Sequence, residues 1–107
     1  MESFCQLLKV LMPDVRVDQA LSGEEAVQAL RRGPVDLIVT DFKMPGMNGV
    51  ELLREVERLA PGTPNILMTA YGRETVRAAG EPEPQRILHK PIEVDEVVGA
   101  VEDALAA

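Results

Sequence analysis

Three polar residues each close an apolar run, and their types could do chemistry together. Asp41 ends "VDLIVTD", Thr69 ends "NILMT" and Lys90 ends "RILHK". A carboxylate can attack phosphorus, while an ammonium and a hydroxyl bind the oxygens that gain charge. A divalent cation would offset the clustered negative charge. Brought to one place, the three groups make a phosphoryl site. Taken singly, each has a plainer reading: Asp41 as a turn-capping acid, Thr69 as a β-branched strand residue, Lys90 as a solvated strand end. What decides between the readings is whether the elements carrying them converge.

Those elements alternate, punctuated by Gly and Pro. Residues 3 to 12 place Phe4, Leu8 and Leu11 at i, i+4 and i+7, with Leu7 widening the stripe and Pro13 ending it, which predicts a first helix. "VRVDQAL" (15 to 21) predicts a strand, and Ser22 with Glu25 forms the spacing of a capping box for a helix through Arg32. The apolar run 35 to 39 is the next strand. After the "KMPGM" turn, Asn48 and Glu51 repeat the cap spacing before a helix that turns Leu52, Leu53, Val56 and Leu59 inward. Residues 65 to 70 form a further strand, "RETVRAA" a short helix, 86 to 90 a last strand, and Val94 to Leu105 a last amphipathic helix. Strands apolar on both faces and separated by helices mean a parallel sheet covered on both sides. In such an open α/β sheet, functional side chains gather beyond the carboxyl ends of the strands, which is where Asp41, Thr69 and Lys90 fall.

Composition narrows the function classes. The 107 residues make one domain, 1 to 107. A net charge of −7, from 11 basic and 18 acidic residues without a Lys/Arg cluster in the sequence, argues against direct nucleic-acid binding. The single cysteine, Cys5, makes no internal disulfide, and neither a leader nor a bilayer-length apolar run is present, so no membrane partner and a cytoplasmic location are expected.

"DLIVTDFKMPGMNGVELL", "ILMTAYG" and "HKPI" together resemble the receiver domain of two-component response regulators, over about residues 2 to 105. The resemblance implies a flavodoxin-like doubly wound sheet of five parallel strands ordered 2-1-3-4-5. It makes Asp41 the phosphoacceptor, Thr69 the switch hydroxyl and Lys90 the phosphate-binding cation, with a cis peptide before Pro91. It implies Mg²⁺ as cofactor, held by Asp41 and the Lys43 backbone carbonyl, and a sensor histidine kinase and a downstream protein as partners. On this reading the chain is not an enzyme beyond phosphorylation and dephosphorylation of its own Asp41. Only 17 residues (91 to 107) follow Lys90, so output is expected from a separate protein or from polypeptide outside this sequence.

Three departures from the family pattern carry expectations. The family's first strand and its acidic pair are missing, which leaves four strands and five helices. Glu2 is then a further candidate ligand, although a helix-start acid complementing the dipole is its plainer reading. A central strand of about five or six residues brings apolar side chains worth about 6 to 12 kcal/mol in all, comparable with a domain's whole stability of about 5 to 15. The chain is therefore not expected to be a stable ordinary monomer. Three outcomes are open: a homodimer through exchanged or rearranged elements, the strand 15 to 21 moved beside the strand 35 to 40, or a shortened version of a longer product. Ile87 replaces the family's frequent aromatic three residues before the lysine, and "GEPEPQ" (80 to 85) stiffens the loop before the last strand.

Other residues read more plainly. His89 adjoins Lys90 but points elsewhere by strand alternation, Met44 and Met47 pack the loop, Cys5 packs in an apolar surface, and Tyr71 marks either the output surface or an ordinary exposed loop. Two further function classes compete with a phosphorylated receiver. A pseudo-receiver would act as a phosphorylation-independent interaction module. An aspartyl phosphatase would need a general acid two residues after the nucleophile, where Lys43 stands.

Overall fold

The computed structural model describes residues 4–106, with side chains from Gln6 onward. Helix α1 (Phe4–Leu11) is followed by α2 (Gly23–Arg32), β1 (Ile38–Asp41), α3 (Gly49–Leu59), β2 (Asn65–Thr69), α4 (Arg73–Ala78), β3 (Ile87–His89) and α5 (Val94–Ala106). The strands form a parallel sheet in the order β1-β2-β3, with Thr40 beside Leu67, Asp41 beside Met68, and Thr69 beside His89. This is the expected α/β arrangement of five helices around a parallel sheet.

The unbroken apolar run of β2 exists because both of its faces are covered. Ile66 and Met68 join Leu8 of α1, Leu88 of β3 and Val97, Ala100 and Val101 of α5 on one side. Leu67, pointing the other way as strand alternation requires, packs with Val50 of α3 and Val76 of α4, and Phe42, Ala79 and Ile87 lie against that group. None of the described helices is long and apolar enough to cross a membrane.

The helix starts follow the caps. Asn48 Oδ1 accepts from Glu51 N at 2.8 Å and the Glu51 carboxylate accepts from Asn48 N at 2.7 Å, a complete capping box. At α2 the box is shifted. Ser22 Oγ accepts from Glu25 N at 3.1 Å, but the Glu25 carboxylate takes the N–H of Leu21 instead of that of Ser22.

The strands correct the sequence reading in two places. Residues 15 to 21 form no strand, so the described sheet has three strands and not four. The physical reason is the lack of a neighbour: a strand is stable only with a ladder partner, and β1 pairs with β2 alone among the described residues. Val17 still packs against the core, and Val15 N bonds back to Met12 O at 3.0 Å, while the segment has not moved beside β1. The run expected as a strand over 35 to 39 pairs only from Ile38 to Asp41, because its ladder opens at Pro64, whose carbonyl accepts from Ile38 N at 3.0 Å. Glu2 lies outside the described residues, as does the side chain of Cys5.

Candidate functional site

Each of the three predicted residues sits at the carboxyl end of its strand: Asp41 closes β1, Thr69 closes β2, and Lys90 follows the last residue of β3. Backbone bonds hold these ends in line. Phe42 N donates to Met68 O at 2.8 Å and Lys90 N donates to Thr69 O at 2.7 Å. The Lys90–Pro91 peptide is cis, as the resemblance implies.

Lys90 Nζ lies 2.7 Å from Asp41 Oδ1, with the two side chains 47 % and 43 % exposed. Oδ1 itself is out of contact with solvent, and the approach is an ion pair by distance whose angle falls short of a hydrogen bond. The accessible part of the carboxylate is therefore its other oxygen, the one an incoming electrophile can reach. Thr69 is 2 % exposed, and its Oγ1 accepts from Tyr71 N at 2.9 Å. A hydroxyl used as an acceptor keeps its own proton free to donate.

The loop after Asp41 is tied back onto the strand. Gly49 N donates to Phe42 O at 2.7 Å, and Thr40 Oγ1 donates to the Asp41 carbonyl at 3.0 Å and to Met44 Sδ at 3.6 Å. Gly46 makes the turn with φ 85°, a conformation that favours glycine. Met47 lies directly over Gly23 at the start of α2. Both methionines thus pack the loop, as their sequence context suggests.

Two of the three aromatic residues in the chain meet beside the site, which the sequence did not reveal. The Phe42 and Tyr71 rings stand edge to face, 5.8 Å apart at 68°. Lys43 Nζ donates to the Tyr71 hydroxyl at 3.3 Å, joining the loops after β1 and β2. A clue was available in their equal offsets: Lys43 is two residues past Asp41, and Tyr71 two past Thr69. His89 is exposed and Ile87 half-buried against the Val50, Leu67 and Val76 group, and neither side chain forms a hydrogen bond or ion pair with Asp41, Thr69 or Lys90.

A hard divalent cation takes oxygen donors and keeps several waters. The Asp41 carboxylate and the Lys43 carbonyl match that preference in kind. In number they are few, since among the described residues no group of three or more His, Cys, Asp or Glu could hold a metal ion.

A family model described as the response regulator receiver domain matches residues 1–102. Among curated relatives, the transcriptional regulatory protein GlrR of Escherichia coli K12 is 34% identical over 99 residues, covering 92% of this chain and 22% of its own length. ZraR of the same strain is 34% identical over 107 residues, covering 97% of this chain and 24% of its own length. The chain thus spans about a quarter of these relatives. Among solved structures, the Francisella response regulator 1452 receiver domain superposes with a TM-score of 0.81 at 25% identity, covering 95% of this chain and 87% of that one. The response regulator TrrA of Thermotoga maritima, in complex with Mg²⁺ and beryllofluoride, gives 0.76 at 29% identity, over 94% and 88%.

Proposed function

The chain belongs to the response regulator receiver domain family of two-component signalling, and we propose that Asp41 is its phosphoacceptor, Lys90 its phosphate-binding cation and Thr69 its switch hydroxyl. The observation that carries this reading is the Lys90–Asp41 ion pair at the strand ends, with Thr69 closing the strand between them. The exposed Asp41 oxygen attacks the phosphorus of a phosphohistidine on a sensor kinase. The P–N bond breaks, its electron pair leaves with the imidazole, and an acyl phosphate forms on Asp41. Lys90, already beside the carboxylate, binds a phosphoryl oxygen as charge accumulates there. Thr69 donates its free hydroxyl proton to a second oxygen, and the backbone N–H of Tyr71 feels the change through its bond to Oγ1. Mg²⁺, where bound by Asp41 and the Lys43 carbonyl with water completing its shell, would neutralise negative charge on the phosphoryl group.

Receiver domains act as signalling modules and not as conventional enzymes, so the consequence of phosphorylation is a change in protein affinity. With its net charge of −7, we assign this domain a protein partner and not nucleic acid. Incubation with Mg²⁺ and a small phosphodonor should add the mass of one phosphoryl group to the wild type and none to Asp41→Asn.

Among the described residues no group of three or more His, Cys, Asp or Glu could hold a metal ion, which supports a second reading, a pseudo-receiver that binds partners without phosphorylation. Absence of any mass gain or beryllofluoride response at millimolar Mg²⁺ would select it.

A further inference from the structure

The outer edge of β1 is open, and the two helices beside it are only half covered. Ile38 N donates to Pro64 O and Phe42 N to Met68 O, so by alternation Val39 and Asp41 turn their N–H groups away from β2, to a side where no described strand meets them. Helix α1 lies on the same face as α5, since Leu8 packs with Val97 and Val101. Helix α2 lies on the opposite face, beside α3, whose Val50 packs with Leu67. Gly23, Ala26, Val27 and Leu30, at i, i+3, i+4 and i+7, give α2 an apolar stripe, yet of the whole helix only Gly23 is buried. Among the described side chains of α1 only Leu8 is buried, while Leu7 is half-buried and Leu11 is 44 % exposed. By contrast α3 buries Val50, Leu52, Leu53 and Val56, and α5 buries Val97, Ala100 and Val101.

What this edge lacks is a single extended strand. A backbone ladder is satisfied by another backbone in extended form, and a strand laid against Val39 and Asp41 sends alternate side chains to the two faces. One set falls on the α1 side, with Leu8, Met12 and Val17. The other falls on the α2 side, where Val27 and Leu30 are incompletely covered. A strand between two apolar helices must be apolar on both faces, as β2 is. Its far edge then offers residues 15 to 21, whose Val17 already packs on the core, the neighbour they lack. The opposite edge of the sheet makes no such demand. Strand β3 has three residues with Pro84 and Pro91 close to its ends, a short edge of the kind that resists pairing.

We propose that the β1 edge is a strand-docking site for a partner polypeptide, which lends an extended segment of about five residues, rich in Val, Ile and Leu, and pairs it by backbone with Val39 and Asp41. Main-chain bonds supply affinity, and the half-covered stripes of α1 and α2 select apolar side chains on both faces. A second copy of this chain covers the ladder less completely, because its strands come with their own helices attached. The site uses the backbone of Asp41 and not its carboxylate, so the proposal goes beyond the signalling reading and does not rest on it.

The test is fluorescence anisotropy of the dilute full chain with a labelled peptide of valines and isoleucines flanked by lysines. The same peptide N-methylated throughout, which cannot donate to a ladder, and one with serines for the apolar residues serve as comparators. The first peptide should bind, and each comparator should bind at least about tenfold more weakly, the scale of losing a few ladder bonds or several buried methyl groups. Amide hydrogen exchange locates the site. At saturation Val39 and Asp41 should exchange at least about tenfold more slowly, while Ile87 and His89, which face outward on β3, should not change. Val27→Asp, which puts a charge into the half-covered stripe of α2, should weaken binding by a similar factor. The peptide comparators leave the protein unaltered and decide the case if that variant fails to fold. Absence of binding, equal binding of either comparator, or protection at Ile87 and His89 in place of Val39 and Asp41 overturns the proposal. So does protection of Val39 and Asp41 that rises with protein concentration and that peptide does not increase, since a second copy then occupies the edge.

Discussion

Lys90 Nζ stands 2.7 Å from Asp41 Oδ1, so an ion pair joins the ends of the two outer strands, β1 and β3, across β2. With its side chains nearly half exposed, such a pair contributes no more than about 1 kcal/mol to stability. In the proposed role its value lies in holding an ammonium where phosphoryl charge would develop. Lys90→Met is thus predicted to melt within a few degrees of the wild type while slowing phosphoryl acceptance about a hundredfold, the usual scale for losing one oxyanion donor. Thermal melting and intact-mass kinetics with a small phosphodonor check both halves, and a wild-type rate in the variant would refute the role.

In its proposed role as switch hydroxyl, Thr69 should matter less because its hydroxyl is neutral, and neutral donors are roughly half as strong as charged ones. Thr69→Val should slow acceptance less than Lys90→Met does. It should also cost about 1 kcal/mol, since Tyr71 N loses its acceptor. Thr69→Ser restores the hydroxyl and should recover most of the rate. A slower rate for Thr69→Val than for Lys90→Met would reverse the assigned order.

The parts of this fold set by local rules were legible in the sequence. The Asn48/Glu51 box forms as spaced, β2 is buried on both faces as its unbroken apolar run requires, and the three strand-end residues fall on one sheet edge. What depended on a neighbour was not legible. The segment 15 to 21 has strand-like residues but no ladder partner, and β1 begins where Pro64 lets it, three residues later than its apolar run. The bond from Lys43 to Tyr71 joins residues 28 positions apart through tertiary placement, which periodicity does not encode.

Two glycines should respond to alanine with opposite signs. A Cβ at Gly49 would collide with the Asp41 carbonyl, lie 2.5 Å from Leu67 Cδ1 and come within 3.1 Å of Phe42 Cα. Two of those three atoms belong to the backbone that presents Asp41, so Gly49→Ala should cost about 1 to 3 kcal/mol by overpacking and slow phosphoryl acceptance as well. At Gly99, within α5, a Cβ meets nothing within 4 Å. Gly99→Ala should stabilise by about 0.5 to 1 kcal/mol through helix propensity alone and leave the rate unchanged. Denaturant unfolding measures both, and shifts of the same sign would contradict the packing read at Gly49.

The outer edge of β1 leads to the last expectation, which concerns association. Ile38 and Phe42 donate their N–H groups to the Pro64 and Met68 carbonyls on the β2 side, so by alternation along the strand Val39 and Asp41 present theirs to the other side, where no described strand pairs with them. An unpaired edge is a template for a second chain, and exposed Val10 and Leu21, 76 % and 74 % accessible, add apolar surface elsewhere on the molecule. Self-association is therefore predicted. Sedimentation velocity over a hundredfold concentration range should show the mean coefficient rising with concentration, and Val10→Lys/Leu21→Lys, which replaces exposed apolar surface by charge, should shift that rise to higher concentration. A compact species whose coefficient stays constant across the range, with a single cooperative melt, would show instead that β1 tolerates its open edge and that the chain is a stable monomer.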